Sequence, residues 1–210
     1  MSDVLGKIFG TPAKVKIMRL FIFNPDTPFA IDDVCKRVAV SGTSAKKEVQ
    51  ALIKSDFIKK KVFFRNMEKR KKGKLVAEKI KSNGFIFNNK FPFSEQFKNI
   101  LMEAEPLRPE VLSKKFNKAG RIKLVVVSGL FIHEPESRLD LLVVGDRLNK
   151  TVMDKTVKTL EGEIGRELRY AFLETPDFNY RMSVYDRLLR DVFDFPHQKI
   201  LDKMGTSSEE

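Results

Sequence analysis

Two groups of side chains combine residue types and spacings that chemistry can use. Ser44, Lys46, Lys47, Gln50 and Lys54 fall at helical spacing, which places them on one side of a helix. Lysines on such a face can meet phosphates, and the Gln50 amide offers the donor and acceptor pair that reads an adenine edge. Further on, Lys69, Arg70, Lys71 and Lys72 run without a break up to Gly73. A glycine permits the turn that would put these four cations at a loop tip, within reach of a phosphate backbone. The second group is Gly129, Arg138 and Asp140. Residues two apart on a strand face the same way, so the Arg138 guanidinium is expected to pair with the Asp140 carboxylate. Metal ligands are scarce. His133 and His197 are the only histidines and Cys35 the only cysteine, none at ligand spacing, so neither metal nor cofactor is expected. Cys35 reads as a small core residue on an apolar helix face.

The elements that must carry the first group are legible as a pattern. Pro12 after Thr11 starts a helix that runs to Phe23 and stops at Asn24-Pro25. Ile31, Val34, Cys35 and Val38 share a face of a second helix over 31–38. A turn containing Gly42 leads to a third helix over 43–55, with Ala45, Val49, Leu52 and Ile53 inward. Strands over 57–65 and 74–80 then form a hairpin with residues 66–73 as its tip. The phenylalanines of 85–93 are expected to pack between domains rather than stack on bases, because only Lys90 interleaves them.

The second group belongs to a different pattern. A linking helix over 94–104 and another over 109–118 precede two apolar strands, 122–130 and 138–146. A helix over 150–164, with Met153, Val157, Leu160 and Ile164 as its stripe, leads to a third strand over 167–173. One long helix is expected from Thr175 to Phe193, with Asp186-Arg187 and Arg190-Asp191 as exposed ion pairs. The sequence therefore predicts an α+β protein of two domains, 1–90 and 91–210, the second a small α/β sheet with flanking helices.

Charge divides at the same boundary. Of 210 residues, 40 are Lys or Arg and 28 Asp or Glu, a formal net charge of +12. Residues 1–90 hold 21 of the cations against 8 acids, while 91–210 hold 19 against 20. That asymmetry points to a polyanion-binding module joined to a near-neutral domain. No apolar run reaches the length of a membrane span, and no secretory signal opens the chain, so no membrane association and a cytoplasmic location are expected.

Three helices followed by a hairpin, with Lys69, Arg70, Lys71 and Lys72 at its tip, resemble the winged helix-turn-helix family. The resemblance implies that the third helix enters the major groove and the wing touches the backbone or minor groove. Gly129, followed after a short excursion by Arg138-Leu139-Asp140-Leu141-Leu142, resembles the minimal nucleotidyltransferase family. Its motif is a glycine-serine pair ending one strand and two acids, one residue apart, on the next; those carboxylates hold the magnesium ions of a nucleoside triphosphate. Here Leu130 replaces the serine, Arg138 replaces the first acid, and Arg169-Tyr170-Ala171-Phe172 supplies no third acid, with Glu167 and Glu174 only at its ends. The pairing of the two domains resembles bacterial and archaeal transcriptional regulators. It implies a sequence-specific duplex DNA-binding regulator whose second domain is a pseudoenzyme for ligand sensing or dimerisation, with no catalytic residues. Gly129, Arg138 and Asp140 then form a degenerate cleft for a nucleotide effector, and a homodimer is the expected assembly. The alternatives are an active nucleotidyltransferase acting on a nucleic acid or protein, and an RNA-binding protein.

Overall fold

The computed structural model describes residues 4–71, 74–102, 109–132, 134 and 137–206. It is an α+β protein whose described residues form nine helices and two small sheets. The chain divides into two compact units, residues 1–104 with 162–166, and residues 105–161 with 167–210.

In the first unit, α1 (Val4–Phe9) precedes α2 (Pro12–Ile22). Thr11 caps α2 by accepting from the Lys14 amide at 3.0 Å, and its hydroxyl donates to Glu48 at 3.0 Å. That second bond satisfies the carboxylate of a residue only 6% exposed and ties α2 to α4 (Gly42–Lys54). Between them lies α3 (Ile31–Val38), where Asp33 accepts from the Ala30 amide at 3.1 Å. The turn between α3 and α4 differs from the expectation. Its left-handed residue is Ala39, at φ 52°, and Gly42 is instead the first residue of α4. Ser41 caps α4, accepting from the Ser44 amide at 3.3 Å. Val15, Phe21, Val34, Val38, Ala45 and Val49 are buried in one core with Phe57, Ile58 and Phe87.

The hairpin is longer than expected. β1 (Ile58–Lys71) and β2 (Lys74–Phe87) pair antiparallel over their whole length. Fourteen residues a strand make a ribbon of about 45 Å, so residues 66–71 extend a strand rather than form a loop. Phe29 bridges Phe85 and adds a short third edge. Gly84 is required there, since a Cβ would sit 2.5 Å from the Phe29 carbonyl oxygen. Phe91 and Phe97 pack edge-on or tilted against Phe57, at centroid distances of 5.2 and 6.1 Å. The phenylalanine-rich segment therefore packs within the first unit, together with α5 (Ser94–Met102).

The second unit holds α6 (Pro109–Phe116), β3 (Arg121–Val127), β4 (Leu141–Asp146), all of α7 (Lys150–Ile164) but its last three residues, and β5 (Tyr170–Glu174). Then come α8 (Thr175–Ser183), α9 (Arg187–Phe193) and β6 (Gln198–Asp202). Its sheet has the order β5-β4-β3-β6, with β4 parallel to β5 and β3 antiparallel to both β4 and β6. All four predicted stripe residues of α7 are buried. The single helix expected over 175–193 is broken. Val184, Tyr185 and Asp186 separate α8 from α9, Tyr185 takes φ 54°, and Asp186 caps α9 by accepting from the Leu188 and Leu189 amides. Phe178, Leu189 and Val192 are buried with the sheet, whereas Met182 and Tyr185, at the same helical spacing in the sequence, are exposed.

Candidate functional site

In the first unit, α4 sorts its residues by face. Ala45, Glu48, Val49 and Leu52 are buried, while Lys46, Lys47, Gln50 and Lys54 are exposed. Ser44 is half-buried on the first turn, its amide engaged by the Ser41 cap. Three ammonium groups and one carboxamide thus project from a rigid helix whose opposite face is pinned in the core. Of the expected tip cations, Lys69, Arg70 and Lys71 fall within β1. Their side chains, and Lys72 altogether, lie outside the described residues, as does His133.

The ribbon adds cations that the sequence reading passed over. Lys59, Lys60, Lys61, Lys79 and Lys81 are all exposed. Arg65 is the exception: it holds Asp32 at 3.0 Å and Asp33 at 3.1 Å, clamping β1 onto the start of α3. Burial would raise the Asp32 carboxyl, but the hydrogen bond and charge of Arg65 bring it below its ordinary range. Arg65 is thereby committed to the fold.

In the second unit the carboxylate of Asp140 is enclosed, the residue being 2% exposed. The Arg138–Asp140 pair expected from sequence is absent. Arg138 instead pairs with Asp191 of α9, and Arg169 takes the carboxylate. Arg169 donates to Asp140 Oδ2 from its backbone amide at 2.8 Å and from Nε at 3.1 Å, and to Oδ1 from a terminal guanidinium nitrogen at 2.9 Å. The Leu130 amide supplies a fourth bond, 2.9 Å to Oδ1. The reason is local: Arg138 and Asp140 precede β4, in irregular chain, so the same-face rule for residues two apart on a strand does not apply.

Burial works to raise the Asp140 carboxyl, yet the Arg169 guanidinium and the two amides outweigh it and hold the group below the ordinary aspartate range. Arg169 is held correspondingly above its ordinary value by the same pair. Gly129 fits this arrangement. It sits at φ 56°, and a Cβ there would lie 2.2 Å from Asp140 Oδ1, so the glycine makes room for a carboxylate of its own chain. Beside it, the buried Ser128 hydroxyl donates to the Leu139 carbonyl at 2.5 Å. Glu174, at the end of β5, accepts from the Arg147 and Leu148 amides.

The surface pairs also rearrange. Arg190 pairs with Asp194 rather than its neighbour Asp191. Among the described residues, no three His, Cys, Asp or Glu side chains converge as a metal site, and no helix is long and apolar enough to cross a membrane. Comparisons with protein-family models, curated proteins and solved structures find no match to this chain.

Proposed function

We propose that this protein is a sequence-specific duplex DNA-binding transcriptional regulator of winged helix-turn-helix type. Its second domain is nucleotidyltransferase-like but without catalysis, and serves ligand sensing or dimerisation. The observation that carries the reading is the outer face of α4, where Lys46, Lys47, Gln50 and Lys54 are exposed opposite a fully buried face. A helix so anchored can enter a major groove without local unfolding, with its lysines on phosphates and Gln50 on base edges. The lysine-rich ribbon supplies the wing.

Support for lost catalysis comes from Asp140. Two donors already occupy each carboxylate oxygen, and a divalent cation would have to displace a guanidinium to reach it. Gly129 and Arg138 are each engaged inside the unit as well, one against Asp140 and the other with Asp191.

Fluorescence anisotropy of the protein with random duplex, matched RNA and a selected-site duplex, over a salt series, tests the reading. Replacing Lys46, Lys47 and Lys54 by alanine lowers the salt slope by about 2 to 3, since each phosphate contact contributes about 0.9. Gln50→Ala relaxes preference at one base position, by about 1 to 3 kcal/mol. Wild-type affinity and slope in the triple variant would sink the α4 assignment, and equal binding of RNA would sink the duplex DNA reading.

A further inference from the structure

The ribbon has a face that the lysines of α4 and the tip do not explain. In an antiparallel pair, opposed residues project to the same side. The register sets Lys60 opposite Phe85, Val62 opposite Asn83, Phe64 opposite Lys81 and Asn66 opposite Lys79. On this side Val62 is 51% exposed and Phe64 62% exposed. The Lys79 ammonium lies over the Phe64 ring, 5.8 Å from its centroid. Lys60 and Lys81 are exposed beside them, and no residue of this face from 58 to 66 or from 79 to 87 is acidic. At the foot of the ribbon a depression of about 500 Å³ is lined by Lys60, Lys61, Val62 and Asn83, among others.

Two exposed apolar side chains ringed by cations call for an occupant that is both apolar and anionic. A second copy of the chain fits poorly, because face-to-face packing would bring Lys60, Lys79 and Lys81 against their own kind. A nucleic acid supplies both chemistries within a few ångströms, phosphates on the outside and base and sugar edges within. We infer that Val62 and Phe64 form an apolar wedge that enters the minor groove of duplex DNA and bends it, while Lys60, Lys79 and Lys81 hold the flanking phosphates. This inference rests on the duplex-binding reading above and adds to it a second contact surface that reads deformability rather than base edges. The wedge would favour sites with an easily unstacked pyrimidine–purine step where Phe64 enters. Arg65 positions it: by clamping β1 to α3 through Asp32 and Asp33, it fixes the ribbon from which Phe64 projects.

The full-length protein is titrated onto a selected-site duplex carrying a dye at each end, with energy transfer reporting the bend and anisotropy the affinity. The wild type shortens the end-to-end distance. The double variant Val62→Ala, Phe64→Ala binds about tenfold more weakly, within the range of single-base stacking losses, and loses the bend. Its salt slope stays at the wild-type value because no phosphate contact is removed. Lys79→Ala does the converse, lowering the slope by about 1 and keeping the bend. Unchanged affinity and bend in the double variant, with its thermal melt equal to wild type, would overturn the wedge and leave the α4 reading standing. A wild-type dimer in sedimentation equilibrium that the double variant dissolves would overturn it in favour of self-association. Failure of the wild type to bind any duplex would overturn the regulator reading itself, and the wedge with it.

Discussion

Asp140 tells a structural carboxylate from a catalytic one by the sign of a stability change. An acid kept to hold a metal ion costs stability in its empty site, so removing it strengthens the fold. Asp140 is instead enclosed and accepts four hydrogen bonds. Asp140→Ala strands the Leu130 and Arg169 amides, each worth about 1 to 3 kcal/mol if water cannot replace the acceptor. The guanidinium contributes less, because the Arg169 side chain is 45% exposed and rehydrates. The expected loss is therefore about 2 to 6 kcal/mol. The assay is urea unfolding followed by tyrosine fluorescence. The chain has no tryptophan and three tyrosines, Tyr170, Tyr180 and Tyr185, all in the second unit, so the signal reports that unit. With a typical urea dependence of about 1 to 3 kcal/mol per molar, the midpoint falls by about 1 M or more. Because the folded carboxyl lies below its unfolded value, its contribution is complete above about pH 4 and is lost as pH falls through the folded value. Arg169→Met removes the main opposition to burial, raises that folded value and moves the acid-induced loss to higher pH. Gly129→Ala adds a positive-φ cost of about 1 kcal/mol to its clash with Oδ1. In the Asp140→Ala background the clash with Oδ1 is gone, leaving the positive-φ cost and a tight 3.1 Å approach to the Leu139 carbonyl oxygen, so the two substitutions couple. A variant lacking Asp140 that is as stable as wild type, or more so, would refute the structural account.

Two further substitutions test backbone conformation. Tyr185 is 79% exposed and adopts φ 54°, a region glycine occupies without steric cost, so Tyr185→Gly raises the urea midpoint of the second unit by about 0.5 to 1 kcal/mol equivalent; a lowered midpoint would show that the ring makes contacts outweighing its strain. Gly84→Ala drives a methyl group to 2.5 Å from the Phe29 carbonyl oxygen, backbone against backbone, and costs the first unit about 2 kcal/mol; an unchanged melt by circular dichroism would show that the Phe29 edge can yield.

Local periodicity made α3, α4 and α7 legible, because each buries one face at helical spacing, whereas α2, buried all round from residue 17 to 22, was legible from its Thr11-Pro12 start and Asn24-Pro25 stop. The hairpin was legible as an element but not in extent. A polar, basic stretch such as 66–71 reads as loop by composition, yet ladder hydrogen bonds to 74–79 hold it as strand. The break at Tyr185 was hidden by the stripe itself, since 178, 182, 185, 189 and 192 keep helical spacing across it. Asp186, an N-cap residue, was the available signal. β6 carried no such signal, its five residues being exposed or half-buried without clean alternation.

The carboxylate site shows where local rules stop. Asp140 was legible as the group of interest, but its partner stands 29 residues away, and the nearer arginine was the reasonable choice by sequence alone. The choice failed because side-chain alternation is a property of paired strand, and pairing of β4 begins only at Leu141. Just before that point, the Asp140 and Leu141 amides both donate to the Arg169 carbonyl, at 2.7 and 3.2 Å, and the Arg169 amide returns a bond to the Asp140 side chain. The approach to β4 is thus fastened to the approach to β5 by main chain and side chain together, with Gly129 cleared to admit the carboxylate. Arg138, set free of Asp140, reaches Asp191 and fastens the same segment to α9. Each arginine closes a loop of tens of residues, so both bonds act on the arrangement of the sheet and its helix, and a cation competing for Asp140 would have to loosen that arrangement before it could bind.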